Sequence, residues 1–356
     1  MLTAIGLLAP LPGVAAATAG TLSESDKKAY ARAFSAARSN DWLRAERLAA
    51  QAQDGLPRKA LLWMRLTQKG HNIPFAKISA FVRAHPHWPK QRLMRQRVEE
   101  AMDKKTPEST VLAWFSASAP VSAEGAIRLI AALEAAGRLA EANALIRRTW
   151  IEYKMPRRLA RKFHKKYRAR LTREDHLDRL ERLLWDRQYL AARRQSYRVD
   201  KDHQKLAAAR IALIRSEPDV DAKVAKVPSH LAGDQGLIYE RLRWRRRHGK
   251  YIPALEMLAL QPVVLVKPEK WWRERRSLAR RNLRKGYISR AYRLAAGHKQ
   301  NYGLPLAEAE WLAGWIALRS LGDNAQAFKH FKRMFDAVQY PVSQARAAYW
   351  AGRAAD

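Results

Sequence analysis

Apolar side chains recur along this chain at intervals of three and four residues, the spacing that lines one face of an α-helix. The pattern is clearest from Glu308 to Asp356. Trp311, Trp315 and Leu318 fall at i, i+4 and i+7, with Leu312 and Ile316 beside them, and predict a helix with a wide apolar stripe. Gly322 suits the left-handed residue past a helix end, and Asp323 suits the N-cap of the next helix. That second helix is expected to bury Ala327, Phe331, Phe335 and Val338. Pro341, tolerated in a first turn, opens a third helix on which Ala345, Tyr349 and Gly352 align. Two helices alone do not bury stripes this wide, so each hairpin is expected to pack on its neighbours.

The turn between the first two of these helices has copies. A Gly, four residues and an Ala occur at Gly137–Ala142, Gly249–Ala254, Gly286–Ala291 and Gly322–Ala327, with Asn40–Ala45 as a variant. Gly and Asn both tolerate a left-handed conformation. Four residues past each Ala the side chain is again apolar: Ala49, Ile146, Leu258, Ala295 and Phe331. A small residue followed one turn later by an apolar one lets the second helix lie close against the first. The last three turns are 37 and 36 residues apart, the length of one helix–turn–helix repeat. The expected fold class is all-α, an α-α superhelix or solenoid of helix–turn–helix, TPR-like repeats.

The same reading extends upstream. A first helix pair spans Ser25 to about Ala52, and Trp63 and Leu66 continue an apolar face up to Gly70. His85-Pro86-His87-Trp88-Pro89 forces a loop, because each proline biases its predecessor away from helix. Thr172 and Asp175 have capping-box spacing and introduce Leu177, Leu180, Leu184 and Ala191 at helical intervals. Two prolines, Pro218 and Pro228, bracket a short segment. The β-branched run Val263-Val264-Leu265-Val266 is expected to be a buried loop.

Residues 2–19 contain no charge and end in small residues with Ala-x-Ala patterns, so residues 1–19 read as a secretory signal remnant lacking its basic start. The alternatives are a floppy apolar tail or a membrane span, and Pro10, Pro12 and Gly13 interrupt a run already too short to span. The chain has no cysteine, which fits an oxidising compartment. One superhelical domain is expected over residues 20–356.

A net charge of +35 calls for acidic partners or internal compensation. Arg243 to His248 and Trp271 to Arg276 mix guanidinium groups with rings that could stack on bases. Both runs lie in helical patterns, however, where the arginines are expected to form a solvated face while Trp244 turns inward. Nucleic acid is therefore set aside in favour of acidic polymers of the cell envelope.

Known catalytic motifs are missing from the sequence: no His-Glu-x-x-His, no phosphate-binding glycine loop, no Gly-x-Ser-x-Gly. His85 and His87 have no third ligand nearby in sequence, and no cofactor or metal is expected. Asp175 and Asp178 share a helix face, but Asp178 is placed to pair with Arg182.

Several spaced segments, taken in order, resemble one family. They are HPHWP at 85–89, LTREDHLDRLERLLWDRQYLAARR at 171–194, RLRWRRR at 241–247, WWRERR at 271–276, EAEWLAGWIALR at 308–319 and PVSQARAAYWAGRAA at 341–355. Together they resemble the superhelical domain of soluble lytic transglycosylases over nearly the whole chain. The resemblance implies a periplasmic, Gram-negative murein-cleaving enzyme whose U-shaped superhelix carries a lysozyme-like catalytic domain. That domain cuts between N-acetylmuramic acid and N-acetylglucosamine and leaves a 1,6-anhydromuramoyl end. The family's catalytic glutamate precedes a serine, with a Gly-Leu-Met-Gln segment further on. Here Glu24-Ser25 and Glu108-Ser109 sit at expected helix starts, and Gly-Leu-Met-Gln does not occur.

No catalytic or substrate-binding residue is therefore assigned, and the catalytic domain is expected after residue 356. Repeat spacing agrees, since another step of 36 residues from Gly322 would place the next turn at about position 358. The expected partners are peptidoglycan glycan strands and the enzyme's own catalytic domain, for a monomer with no membrane span. The alternative function is a non-enzymatic helical-repeat adaptor that binds a protein or an anionic envelope polymer.

Overall fold

A computed structural model describes residues 22–68, 73–103 and 105–356, and among them every regular element is a helix. The expected signal over residues 1–19 lies outside the described residues. The chain divides into two compact units, one ending at Leu145 and the other running from Ile146 to Asp356.

The first unit contains α1 (Glu24–Arg38), α2 (Trp42–Ala50), α3 (Leu56–Thr67), α4 (Phe75–Ala84), α5 (Gln91–Glu100), α6 (Glu108–Phe115) and α7 (Ala123–Ala135). The boundary falls within α8 (Leu139–Glu152). In the second unit α9 (Arg157–Tyr167), α10 (Arg173–Trp185), α11 (Tyr189–Ser196), α12 (Lys201–Arg215), α13 (Val220–Ala225) and α14 (Gln235–Arg247) come first. They are followed by α15 (Tyr251–Ala259), α16 (Pro268–Arg284), α17 (Ile288–Ala296), α18 (Gly303–Ile316), α19 (Asn324–Ala337) and α20 (Pro341–Ala355). Helices touch the next in sequence and the next but one, as α1 touches α2 and α3, and α16 touches α17 and α18. This is the neighbour-on-neighbour scheme of an α-solenoid of helix–turn–helix repeats.

The repeated turns carry this scheme. Asn40, Gly137, Gly249, Gly286 and Gly322 all have φ between 63° and 78°, so each hairpin reverses through a left-handed residue. Every paired Ala (Ala45, Ala142, Ala254, Ala291, Ala327) is buried, and so are Ala49, Ile146, Leu258, Ala295 and Phe331 one turn on. Within the last hairpin the approach is close at Gly314 of α18, where a Cβ would lie 2.8 Å from the Phe331 ring. Replacing Phe331 by Ala would empty that contact and cost about 3–5 kcal/mol. A sixth copy of the turn hides at Arg187 (φ 57°), five residues before the buried Ala192, between α10 and α11.

Caps follow the sequence. Asp323 accepts from Gln326 N at 3.0 Å. Thr172 and Asp175 form a reciprocal capping box at the start of α10. Leu180 and Leu184 are buried, while Ala191 belongs to α11 rather than to the helix that the box opens.

Other expectations are corrected. Phe335 is exposed, since α19 turns Ala327, Phe331 and Met334 inward. On α20 the packed side is Ala347, Trp350, Ala351 and Ala354, so Ala345, Tyr349 and Gly352 face outward. Arg182 pairs with Asp186 at 3.1 Å, not with Asp178. The run Val263 to Val266 is a loop, but an exposed one: its backbone is what the fold uses. Gln235 donates to Val264 O at 3.1 Å and accepts from Val266 N at 2.9 Å, and the Trp271 indole donates to Val266 O. Holding the main chain at these points leaves Val263 and Val264 in solvent.

Candidate functional site

Part of the positive charge in the second unit has an internal use. Trp271 and Trp272 are buried, and Glu274 beside them is 1% exposed. Arg246 of α14 donates through Nε to Glu274, and Arg243 lies 3.8 Å from it. Two of the arginines expected to form a solvated face, Arg243 and Arg246, therefore tie one hairpin to the next. Arg276 similarly bonds Glu308 of α18, and Arg275 bonds the Gln261 amide oxygen. Buried Glu240 takes Arg187 at 2.9 Å, and fully buried Arg210 bonds Glu181 and approaches Asp234 at 3.3 Å.

Glu310, fully buried on α18, is the densest of these centres. It accepts from His298 Nε2 at 3.0 Å and His330 Nδ1 at 2.7 Å, with Arg333 Nε also 3.0 Å away. Gln300 N donates to His298 Nδ1 at 2.8 Å, which leaves the His298 proton on Nε2, aimed at the carboxylate. The Tyr292 hydroxyl lies 3.1 Å from His330 Nε2. Burial opposes the charge on Glu310, but the hydrogen bonds from the two histidines outweigh it and hold its pKa down to about 2. The carboxylate is saturated with donors, so it works as a tie between α18, the 298–300 loop and α19.

A cavity in the second unit gathers arginines without an acid. It holds about 160 Å³ and is lined by Trp150, Met155, Arg157, Ala160, Arg161, Arg179, Ala191, Arg194, Gln195 and Arg198. Five arginines and no acidic residue line it. None of the five is ion-paired among the described residues. Trp150 is the floor. Its indole donates to His176 Nδ1 at 3.1 Å, stacks on Phe163 at 6.1 Å and lies 3.9 Å from the Arg179 guanidinium. Arg179 is 4% exposed and donates to Trp150 O, as Arg182 does to Ile151 O, so both also cap the C-terminal end of α8.

The electrostatics record the missing acid. Burial first, then the charges of Arg182 and Arg198, bring Arg179 down to about 9. Burial also lowers Arg198. His164, whose ring lies 5.3 Å from Trp150, is brought down to about 4 by burial, Arg198, His176, Arg168 and Arg179. Burial and Arg198 also lower His176, whose Nδ1 is already taken by the indole. At the rim, α9 begins at Arg157 with Pro156 as N-cap, so its opening N–H groups have no side-chain acceptor.

The residues set aside from sequence have structural places. His85 packs on Phe81 and Trp88 at 4.5 and 5.6 Å. Glu24 and Glu108 open α1 and α6, and Asp175 serves the capping box. Among the described residues no group of three or more His, Asp or Glu could hold a metal. The cavity arginines are not singled out by any contiguous motif. A sequence signal does exist: between Glu152 and Glu174 stand ten Lys and Arg residues without one acid, the stretch that forms α9 and its flanks.

Fold and site together define a helical-repeat protein, a stack of ionically tied hairpins with an arginine-lined cavity that no acid enters. No protein-family model matches the sequence, and no curated protein matches it. Among solved structures the chain is similar to an inactive mutant of the lytic transglycosylase Slt from Pseudomonas aeruginosa. Identity is 16% and the TM-score 0.53, over 94% of this chain and 53% of that one. The chain thus spans about half the length of that protein, and at this identity the likeness is one of fold. Yeast Tom70 follows at 12% identity and a TM-score of 0.42, over 85% of this chain and 64% of that one. A structure of the APC/C hetero-tetramer Cut9-Hcn1 follows at 10% and 0.35, over 90% and 60%. No helix among the described residues is long and apolar enough to cross a membrane.

Proposed function

We propose that this chain is the helical-repeat scaffold of a periplasmic peptidoglycan lytic transglycosylase, with residues 1–19 as export signal and 20–356 as the superhelical part. The observation that carries the reading is where the family-like segments lie. Segment 171–194 makes the α10–α11 hairpin, 241–247 and 271–276 hold the Arg246–Glu274 tie, 308–319 holds Glu310, and 341–355 is α20. These segments thus supply much of the second unit's packing and its ties, as a shared scaffold would require. The likeness of fold to Slt over 94% of this chain supports the same reading. On it, these 356 residues supply no catalytic group. A lysozyme-like domain of the same enzyme cleaves the glycan, while the basic scaffold holds strands with their acidic peptide stems.

Purified murein sacculi provide the test. The chain should cosediment with them at low salt and lose most of that binding by physiological ionic strength, since exposed charges are screened over about 8 Å there. It should release no anhydromuropeptides by mass spectrometry. Absence of sacculus binding at low salt would overturn the reading in favour of a non-enzymatic adaptor, and released anhydromuropeptides would overturn the assignment of catalysis elsewhere.

A further inference from the structure

The cavity at Trp150 asks for an anion independently of any murein reading. Elsewhere in the second unit the buried acids are matched to cations, Glu240 to Arg187 and Glu274 to Arg246, whereas no acid stands among the five arginines around this hollow. Arg179 is held in place by the Trp150 carbonyl and ring, which fixes one guanidinium at the base of the cavity. Arg157, Arg161, Arg194 and Arg198 reach it from α9 and from α11 and the turn that follows. Arg179 is buried while Arg157, Arg161, Arg194 and Arg198 are exposed around it, and like charges brought this close repel one another unless an anion stands among them.

Size and lining narrow the anion. A volume of 160 Å³ is room for about five waters, below the range of ordinary small-molecule pockets. It admits a small ligand or one end of a larger one. Planar guanidinium forks fit a carboxylate edge-on. The ring of Trp150 with Met155, Ala160 and Ala191 forms an apolar wall for a short aliphatic group next to it.

We infer that this cavity is a receptor for a small carboxylate flanked by an aliphatic group, such as the free C-terminus of a peptide ending in a small residue. Arg179 engages the carboxylate from below, Arg161 and Arg198 close over it, and the uncapped start of α9 adds its positive end.

Isothermal titration calorimetry at fixed ionic strength tests this with three probes: N-acetyl-alanyl-alanine, its C-terminal amide, and inorganic phosphate. The free acid should bind saturably, and the amide roughly tenfold more weakly or worse, the loss expected for charge-assisted hydrogen bonds. Arg161→Gln and Arg198→Gln should each weaken the acid by a similar factor, whereas Arg290→Gln on α17 should not. Arg179→Gln removes a cap of α8 and needs a helicity check, so the two rim variants carry the result. Equal binding of acid and amide would overturn the inference. So would phosphate binding more tightly than the carboxylate, which would assign the cavity to a phosphate, or an Arg290→Gln loss as large as those at the rim, which would mean diffuse attraction. Sacculus binding can fail while this site holds, and the reverse.

Discussion

Two parts of the second unit treat arginine in opposite ways. Around Glu240, Glu274 and Glu310 a buried carboxylate comes first, and cations from neighbouring helices gather on it. Around Trp150 the cations gather with no carboxylate. The first arrangement is closed, because each charge is neutralised within the chain and the hairpins are stapled by it. The second is open, because its neutralising charge has to come from outside. A basic composition is therefore two things in one molecule, internal adhesive and external reach, and only geometry separates them.

The comparison breaks most sharply at Glu274. Glu274→Ala leaves Arg246 and Arg243 part-buried without their acid, and truncating one partner of such a pair costs about 3–5 kcal/mol. Chemical denaturation should show this as a lowered midpoint with an unchanged slope. A loss under about 1 kcal/mol would mean that these arginines are merely solvated.

Glu310 should give the next largest effect, with a pH signature. Its folded pKa of about 2 lies below the ordinary glutamate value near 4.3. Its contribution is then fully present above about pH 4.5 and disappears as pH falls toward 2. Glu310→Gln should cost about 2–3 kcal/mol at pH 7, the range for hydrogen bonds to a charged group. The gap to the parent protein should stay constant down to about pH 5 and close below it. A gap that persists at pH 2 would show that the carboxylate's charge is not what His298 and His330 hold.

The same contrast decides what could be read before the fold was known. Hairpin turns are readable where Gly or Asn fills the left-handed position, because few other residues do so without strain of about 1 kcal/mol or more. The turn at Arg187 defeats that rule. Its side chain donates to buried Glu240, 53 residues on, and to Ile214 O at 3.0 Å, and these bonds offset the strain. No local pattern announces a partner that distant. The arginine runs fail for a related reason: periodicity places Arg243 and Arg246 on the outside of α14, and only the packing of α16 puts Glu274 there to receive them. The exposed valines at 263 and 264 mislead because their side chains suggest burial while the loop is held by its backbone. The cavity draws on α8, α9, α10 and α11, so its only trace in sequence is the acid-free stretch before Glu174.

At the open site the effect on stability should be smallest and opposite in tendency. Arg198 makes one bond of its own, from Nη1 to Arg194 O at 2.9 Å, which helps finish α11. Against it stands repulsion from the cations that share the cavity. Arg198→Gln should therefore change stability by no more than about 0.5 kcal/mol, leaning toward stabilisation. A sharper reading comes from His164, which faces Arg168, Arg179, Arg198 and His176, with Asp175 adjoining His176. A histidine held at about 4 in the fold stays neutral where an unfolded one, near 6.5, takes up a proton. That difference drains stability as pH falls from about 6.5 to 4. Removing the Arg198 charge should raise the His164 pKa, measured by NMR of its ring protons, and make the acid-side decline shallower. An unmoved His164, or a loss above about 1 kcal/mol, would mean that Arg198 belongs with the closed ties, and that the contrast between the two regions ends at the cavity's edge.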